Sequence, residues 1–154
     1  KPELATIVPE KRQELTTEGG LNVLDNLEHL AESIQRLHDG DIKVSLFVEP
    51  DLKVIDASRE IGADIIELHT GEFANAASEE QLAEELEKIV LAAKHAKKIG
   101  LGVNAGHGLN YQNIKLVRDI YEIDEVSIGH SVIARAVMTG LPAAVQEMIR
   151  LIRG

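Results

Sequence analysis

Two short segments hold the residue types from which a reaction can be built: Asn104-Ala105-Gly106-His107-Gly108 and Ser127-Ile128-Gly129-His130. Each sets an imidazole behind a glycine, and each closes a short aliphatic run. Glycine lets backbone approach a ligand closely, and imidazole exchanges a proton near neutral pH. A helical pattern opens at Ser131, directly after Gly129-His130, and the unpaired N–H groups of a first helical turn cradle an anion. The two segments predict a phosphate-handling site with acid–base chemistry at His107. The plain alternative is a pair of strand-to-helix turns with incidental histidines.

The remaining polar candidates sort by position. Of the six histidines, His29, His38 and His95 fall inside helical patterns, where solvated faces are expected. His69, like His107 and His130, falls at the end of a predicted strand. Glu67 alternates with Ile66 and Leu68, so it shares a face with Ile65. A carboxylate in an aliphatic strand is costly unless it is paired or tuned for catalysis. The polar stretch Val8–Gly20 is longer than ordinary connections and offers Lys11, Arg12, Thr16 and Thr17 to a phosphate or hydroxyl.

Positioning these groups requires strands that end where they begin. The predicted strands are Leu4–Val8, Lys43–Val48, Asp64–His69, Leu101–Ala105 and Glu125–Ile128. Helical spacing joins Leu24, Leu27, Leu30, Ile34 and Leu37, with Gly40 as a stop. A shorter helix is expected from Asp51 to Ile61. The next starts at Ser78-Glu79-Glu80-Gln81, a capping-box pattern, and ends at Gly100. Tyr111–Ile120 and a segment beginning at Pro142 complete the series, with Ser131–Met138 as an extra helix of one or two turns. Five consecutive βα units in one domain, residues 1–154, follow.

Composition fits that layout. Hydrophobic residues make up 44% and aromatic residues 3%, so the core is aliphatic, as buried parallel strands require. A net charge of −10 without a basic cluster excludes a nucleic-acid face. The chain has no cysteine, hence no disulfide or thiolate chemistry. No apolar run reaches the roughly 20 residues of a membrane span, and no signal peptide is visible, so a cytoplasmic location is expected.

Five βα units suit either a doubly wound open sheet or part of a (β/α)₈ barrel. Polar groups at nearly every strand end favour the barrel, as does a short helix after the last strand. A barrel needs three further strands from a longer parent chain, and the start at Lys1-Pro2 without a methionine fits that expectation.

Five stretches resemble the pyridoxine 5′-phosphate synthase family: Val8–Gly20, Val44–Phe47, Ile66–Gly71, Val103–Leu109 and Ser127–Leu141. They span the chain in family order. The resemblance implies an α/β (β/α)₈ TIM-barrel enzyme of which this chain carries strands 4–8. It also implies a homo-oligomer working without metal or organic cofactor. The implied reaction condenses 3-amino-2-oxopropyl phosphate with 1-deoxy-D-xylulose 5-phosphate and releases inorganic phosphate and water. By position, His107 resembles the proton donor and Glu67 the carboxylate that stabilises charged transition states. Thr16, Gly108, Gly129 and His130 resemble substrate and phosphate contacts. The family's general bases and most of its cationic phosphate ligands belong to the three strands not seen here, so the chain alone is expected to be inactive. Two other readings use the same residues. One is a barrel hydrolase with zinc on His69, His107, His130 and Glu67; the other is a non-catalytic phosphate-binding module on an open sheet.

Overall fold

Successive side chains of a strand point to opposite faces, and here the two faces differ in chemistry. The computed structural model describes residues 1–9 and 19–154. Strands β1 (Leu4–Ile7), β2 (Lys43–Val48), β3 (Ile65–His69), β4 (Gly102–Gly106) and β5 (Glu125–Ser127) pair in parallel, in that spatial order. Their register makes three rows on one face. Thr6, Ser45, Ile65 and Gly102 form the first, Phe47, Glu67, Asn104 and Glu125 the second, and His69, Gly106 and Ser127 the third. On the other face Val44, Leu46, Val48, Ile66, Leu68, Val103 and Ala105 are withdrawn from water completely.

That aliphatic face takes the helices. Following the chain, these are α1 (Leu27–His38), α2 (Leu52–Glu60), α3 (Gly71–Ala74), α4 (Glu79–Lys98), α5 (Ile114–Val117), α6 (His130–Thr139) and α7 (Leu141–Arg153). Leu30 and Ile34 of α1, Ile55 of α2, and Ile89, Ala92 and Ala93 of α4 join the strand residues in one core. Each fully buried Leu, Ile or Val contributes about 1.5–3 kcal/mol. A doubly wound sheet reverses its strand order at a switch point. This sheet does not, and right-handed crossovers in a monotonic order put the helices on one side. The result is a five-stranded half-barrel, a partial TIM barrel, with the mixed polar face turned toward the lumen. Among the described residues, no helix is long and apolar enough to cross a membrane.

Several elements differ from the sequence expectation. The helix expected over Tyr111–Ile120 is a single turn, Ile114–Val117. The Asn110 side chain accepts from the N–H groups of Gln112 and Asn113, and Asn113 accepts from Asn110 N–H. These bonds satisfy the backbone in a turn and compete with the helix. The extra helix α6 is longer than two turns, with ten residues, and a bidentate Arg135–Glu147 pair ties it to α7. Ser78 caps α4 through Gln81 N–H, but Gln81 reaches Ala77 N–H rather than Ser78. His38 and His95 are half-buried rather than solvated, and they meet Asp64 and Asp56 at 2.8 and 2.6 Å.

At the amino ends of the strands one device occurs twice. Asp64, just before β3, accepts from Val44 N–H of β2 and lies 2.8 Å from His38 at the end of α1. Asp124, just before β5, accepts from Val103 N–H of β4 and from Lys97 in the last turn of α4. Each carboxylate ties a helix end to the strand that follows it and to the strand beyond. Partial burial raises both pKa values, but the hydrogen bonds from backbone N–H groups and from His38 and Lys97 outweigh it, and both lie below the usual aspartate range.

Asp64→Ala leaves the buried Val44 N–H without this acceptor and costs about 1–2 kcal/mol in denaturant unfolding, and Asp64→Asn costs less because its amide oxygen still accepts. The depressed carboxylates favour the folded state fully above the unfolded aspartate pKa. That stabilisation is lost as pH falls through the lower folded values. Acid titration of stability therefore shows a steeper decline in the unsubstituted chain than in Asp64→Asn.

Candidate active site at the carboxyl ends of the strands

Glu49, Thr70 and His107 are each the first residue past their strands β2, β3 and β4. Thr70 is fully buried and organises the turn beside it. Its hydroxyl lies 2.8 Å from the Gly106 carbonyl and 2.5 Å from that of His107, and its N–H donates to Gly106 as well. These contacts hold His107 at φ +82°, a left-handed conformation that few non-glycine residues adopt. Such a backbone costs about 1–3 kcal/mol and persists only where its surroundings enforce it.

Gly108 follows at φ +74°, and a Cβ there would stand 2.5 Å from the Ala74 Cβ. Only glycine passes between this turn and α3. A Cβ on Gly106 would meet the Glu67 carboxylate at 2.3 Å and the Ser127 Cβ at 2.9 Å. Glu67 therefore lies across the end of β4, over a strand position that has no side chain. Among the described residues Glu67 forms no ion pair.

His107, Gly108, Leu109 and Asn110 face Ser127–Ser131 across an open cleft of about 220 Å³. Gly129 precedes α6 without a side-chain cap, and a Cβ there would meet nothing within 4 Å. Ser131 turns its hydroxyl away to the Leu109 carbonyl at 2.9 Å, which pins the head of α6 to the segment after β4. The cleft brings together four predicted site residues: His107, Gly108, Gly129 and His130. Glu67 is not in its lining and approaches from the lumen beside it. Thr16, with Lys11 and Arg12, lies outside the described residues.

His69 closes β3 and is buried, with its ring 5.2 Å from Phe47 and 5.0 Å from His107. Its Nδ1 meets the Glu49 carboxylate at 2.8 Å. The same carboxylate oxygen accepts Gly20 N–H at 2.6 Å. The bond from His69, aided by that from Gly20, outweighs partial burial and holds Glu49 below the usual glutamate range. The zinc arrangement is not formed, since among the described residues no three His, Cys, Asp or Glu side chains gather to hold a metal. Thr70 and Ser131 were not singled out from sequence. Both do their work through main-chain carbonyls, which residue type alone does not reveal, although Thr70, like His107, directly follows its strand.

Comparison with known proteins accords with this layout. A model of the pyridoxal phosphate biosynthesis protein PdxJ family matches residues 1–154. The pyridoxine 5′-phosphate synthase of Chlorobium phaeobacteroides is 58% identical over 153 residues, covering 99% of this chain and 65% of that protein. Those of Syntrophobacter fumaroxidans and Geobacter sulfurreducens are each 53% identical, over 100% and 99% of this chain and 65% and 64% of theirs. The chain thus spans about 65% of the length of these curated relatives. With a family model matched from end to end and a half-barrel fold, the chain belongs to the pyridoxal phosphate biosynthesis protein PdxJ family.

Proposed function

We propose that this chain supplies the proton-donor side of a pyridoxine 5′-phosphate synthase site. The reaction condenses 3-amino-2-oxopropyl phosphate with 1-deoxy-D-xylulose 5-phosphate and releases inorganic phosphate and water. The observation that carries the reading is the shared cleft, in which His107 and Gly108 face Gly129 and His130.

Its chemistry suits the task. Closing a ring with loss of water requires a proton on the departing oxygen, and a protonated imidazole at His107 supplies it. The Thr70 contacts hold the backbone of that histidine, so its ring is placed before substrate arrives. A dianionic phosphate is repelled by a chain of net charge −10 and needs local donors instead. The uncapped head of α6 offers them at Gly129 and His130, with Gly108 across the cleft. Glu67, over the end of β4, faces the positive charge that builds up as the amine-bearing substrate condenses. The family resemblance adds Thr16 as a substrate or phosphate contact. It also assigns the general bases and most of the cationic phosphate ligands to the part of the relatives' length that this chain does not match, which supports the reading that the 154 residues alone are inactive. The working form is a cytoplasmic homo-oligomer.

In a full-length chain containing these residues, His107→Asn lowers turnover at least about 100-fold. Folding survives, because asparagine tolerates the left-handed backbone of that position. Near-normal turnover with an unchanged melting temperature would refute the donor role. His130→Ala raises the KM for a phosphate-bearing substrate about 10-fold with a smaller change in kcat; an unchanged KM would refute the cradle.

A further inference from the structure

His69 is more tightly held than a space-filling side chain requires. Its side chain is only 4% exposed. Two aromatic rings flank it, Phe47 from β2 and His107 beyond β4. Its Nε2 is buried without a hydrogen-bond partner among the described residues. That nitrogen sits where the side chain of residue 71 would begin: a Cβ on Gly71 would stand 2.4 Å from it and 3.2 Å from the His107 ring. A phenylalanine or leucine would fill this space without a stranded polar atom, which costs about 1–3 kcal/mol.

The other ring nitrogen explains why an imidazole is there. Glu49 is ionised and can only accept, so His69 Nδ1 carries the hydrogen of their 2.8 Å contact. Nε2 then lies on the far side of the ring from Glu49, in the wedge between Gly71 and His107. The carboxylate is fixed in turn by Gly20 N–H, whose residue admits no side chain, since a Cβ would stand 2.4 Å from Glu49 N. We propose that Glu49 and His69 form a positioning pair for His107, in which Glu49 fixes the His69 tautomer and His69 fixes the plane of the donor ring. The inference rests on the synthase reading for the reaction that His107 serves; the order Gly20–Glu49–His69–His107 rests on geometry alone.

The test uses the full-length chain with two separate readouts, NMR of the imidazole nitrogens and steady-state turnover. His69 is expected to carry its hydrogen on Nδ1, and Glu49→Ala to abolish that state and shift the ring signals of His107. His69→Asn keeps an N–H toward Glu49 but has no ring. It is expected to lower kcat about 10- to 100-fold while KM moves less than about 3-fold. Glu49→Gln, whose amide oxygen can accept both hydrogen bonds, is expected to recover part of what Glu49→Ala loses, and it serves in its place if Glu49→Ala does not fold. A hydrogen on Nε2 of His69, or His107 signals indifferent to His69→Asn, would overturn the proposal, as would an unchanged kcat. Absence of ring-closing turnover in the unsubstituted chain would fail the synthase reading instead, and the nitrogen spectra would still decide whether the pair positions His107.

Discussion

Val44, Leu46 and Val48 on β2, Ile66 and Leu68 on β3, and Val103 and Ala105 on β4 are all withdrawn from water beneath the helices. Because strand side chains alternate, burying this set dictates where every residue between them points. A slip of one residue on β3 would send Glu67 into the helix layer and Leu68 into the lumen. The same hydrophobic burial that stabilises the sheet therefore aims Glu67 and His69 at the lumen and brings the chain to Thr70 and His107 at its rim. No separate force is needed to gather these groups on one face.

The rim relies on hydrogen bonds instead. Three adjacent strands deliver Glu49, Thr70 and His107 just past their carboxyl ends, where Glu49 is tied to Gly20 and His69, and Thr70 to the carbonyls of Gly106 and His107. This division follows from solvent access. Apolar contacts are indifferent to direction, which is enough to register a sheet. Directional bonds are needed where a ring must face one way. The opposite end of the sheet uses the same economy, since Asp64 and Asp124 each tie a helix end to two successive strands.

Much of this was legible in the sequence. The five aliphatic runs, the pairing of Glu67 with Ile65 on one face, and the Gly-His strand ends all depend on near-neighbour spacing, and they stand in the structure with boundaries moved by a residue or so. What escaped depends on partners far along the chain or on competing local bonds. The one-turn α5 arises because Asn110 and Asn113 bind their own backbone, which an apolar repeat does not register. His38 and His95 read as surface residues until Asp64 and Asp56 are brought beside them by the packing of distant elements. The half-barrel itself becomes certain only from the unreversed strand order, a property of pairing rather than of any one segment.

On its lumen side β4 alternates Gly102, Asn104 and Gly106, while Val103 and Ala105 behind them belong to the core. The room that the Glu67 carboxylate occupies is thus made by leaving a side chain off Gly106. The berth of that carboxylate and the stability of the sheet are written in alternate letters of one five-residue word. A side chain added at Gly102 or Gly106 would have to displace Ile65 or Glu67, so the even positions of this strand constrain the lumen as firmly as Val103 and Ala105 hold the barrel wall.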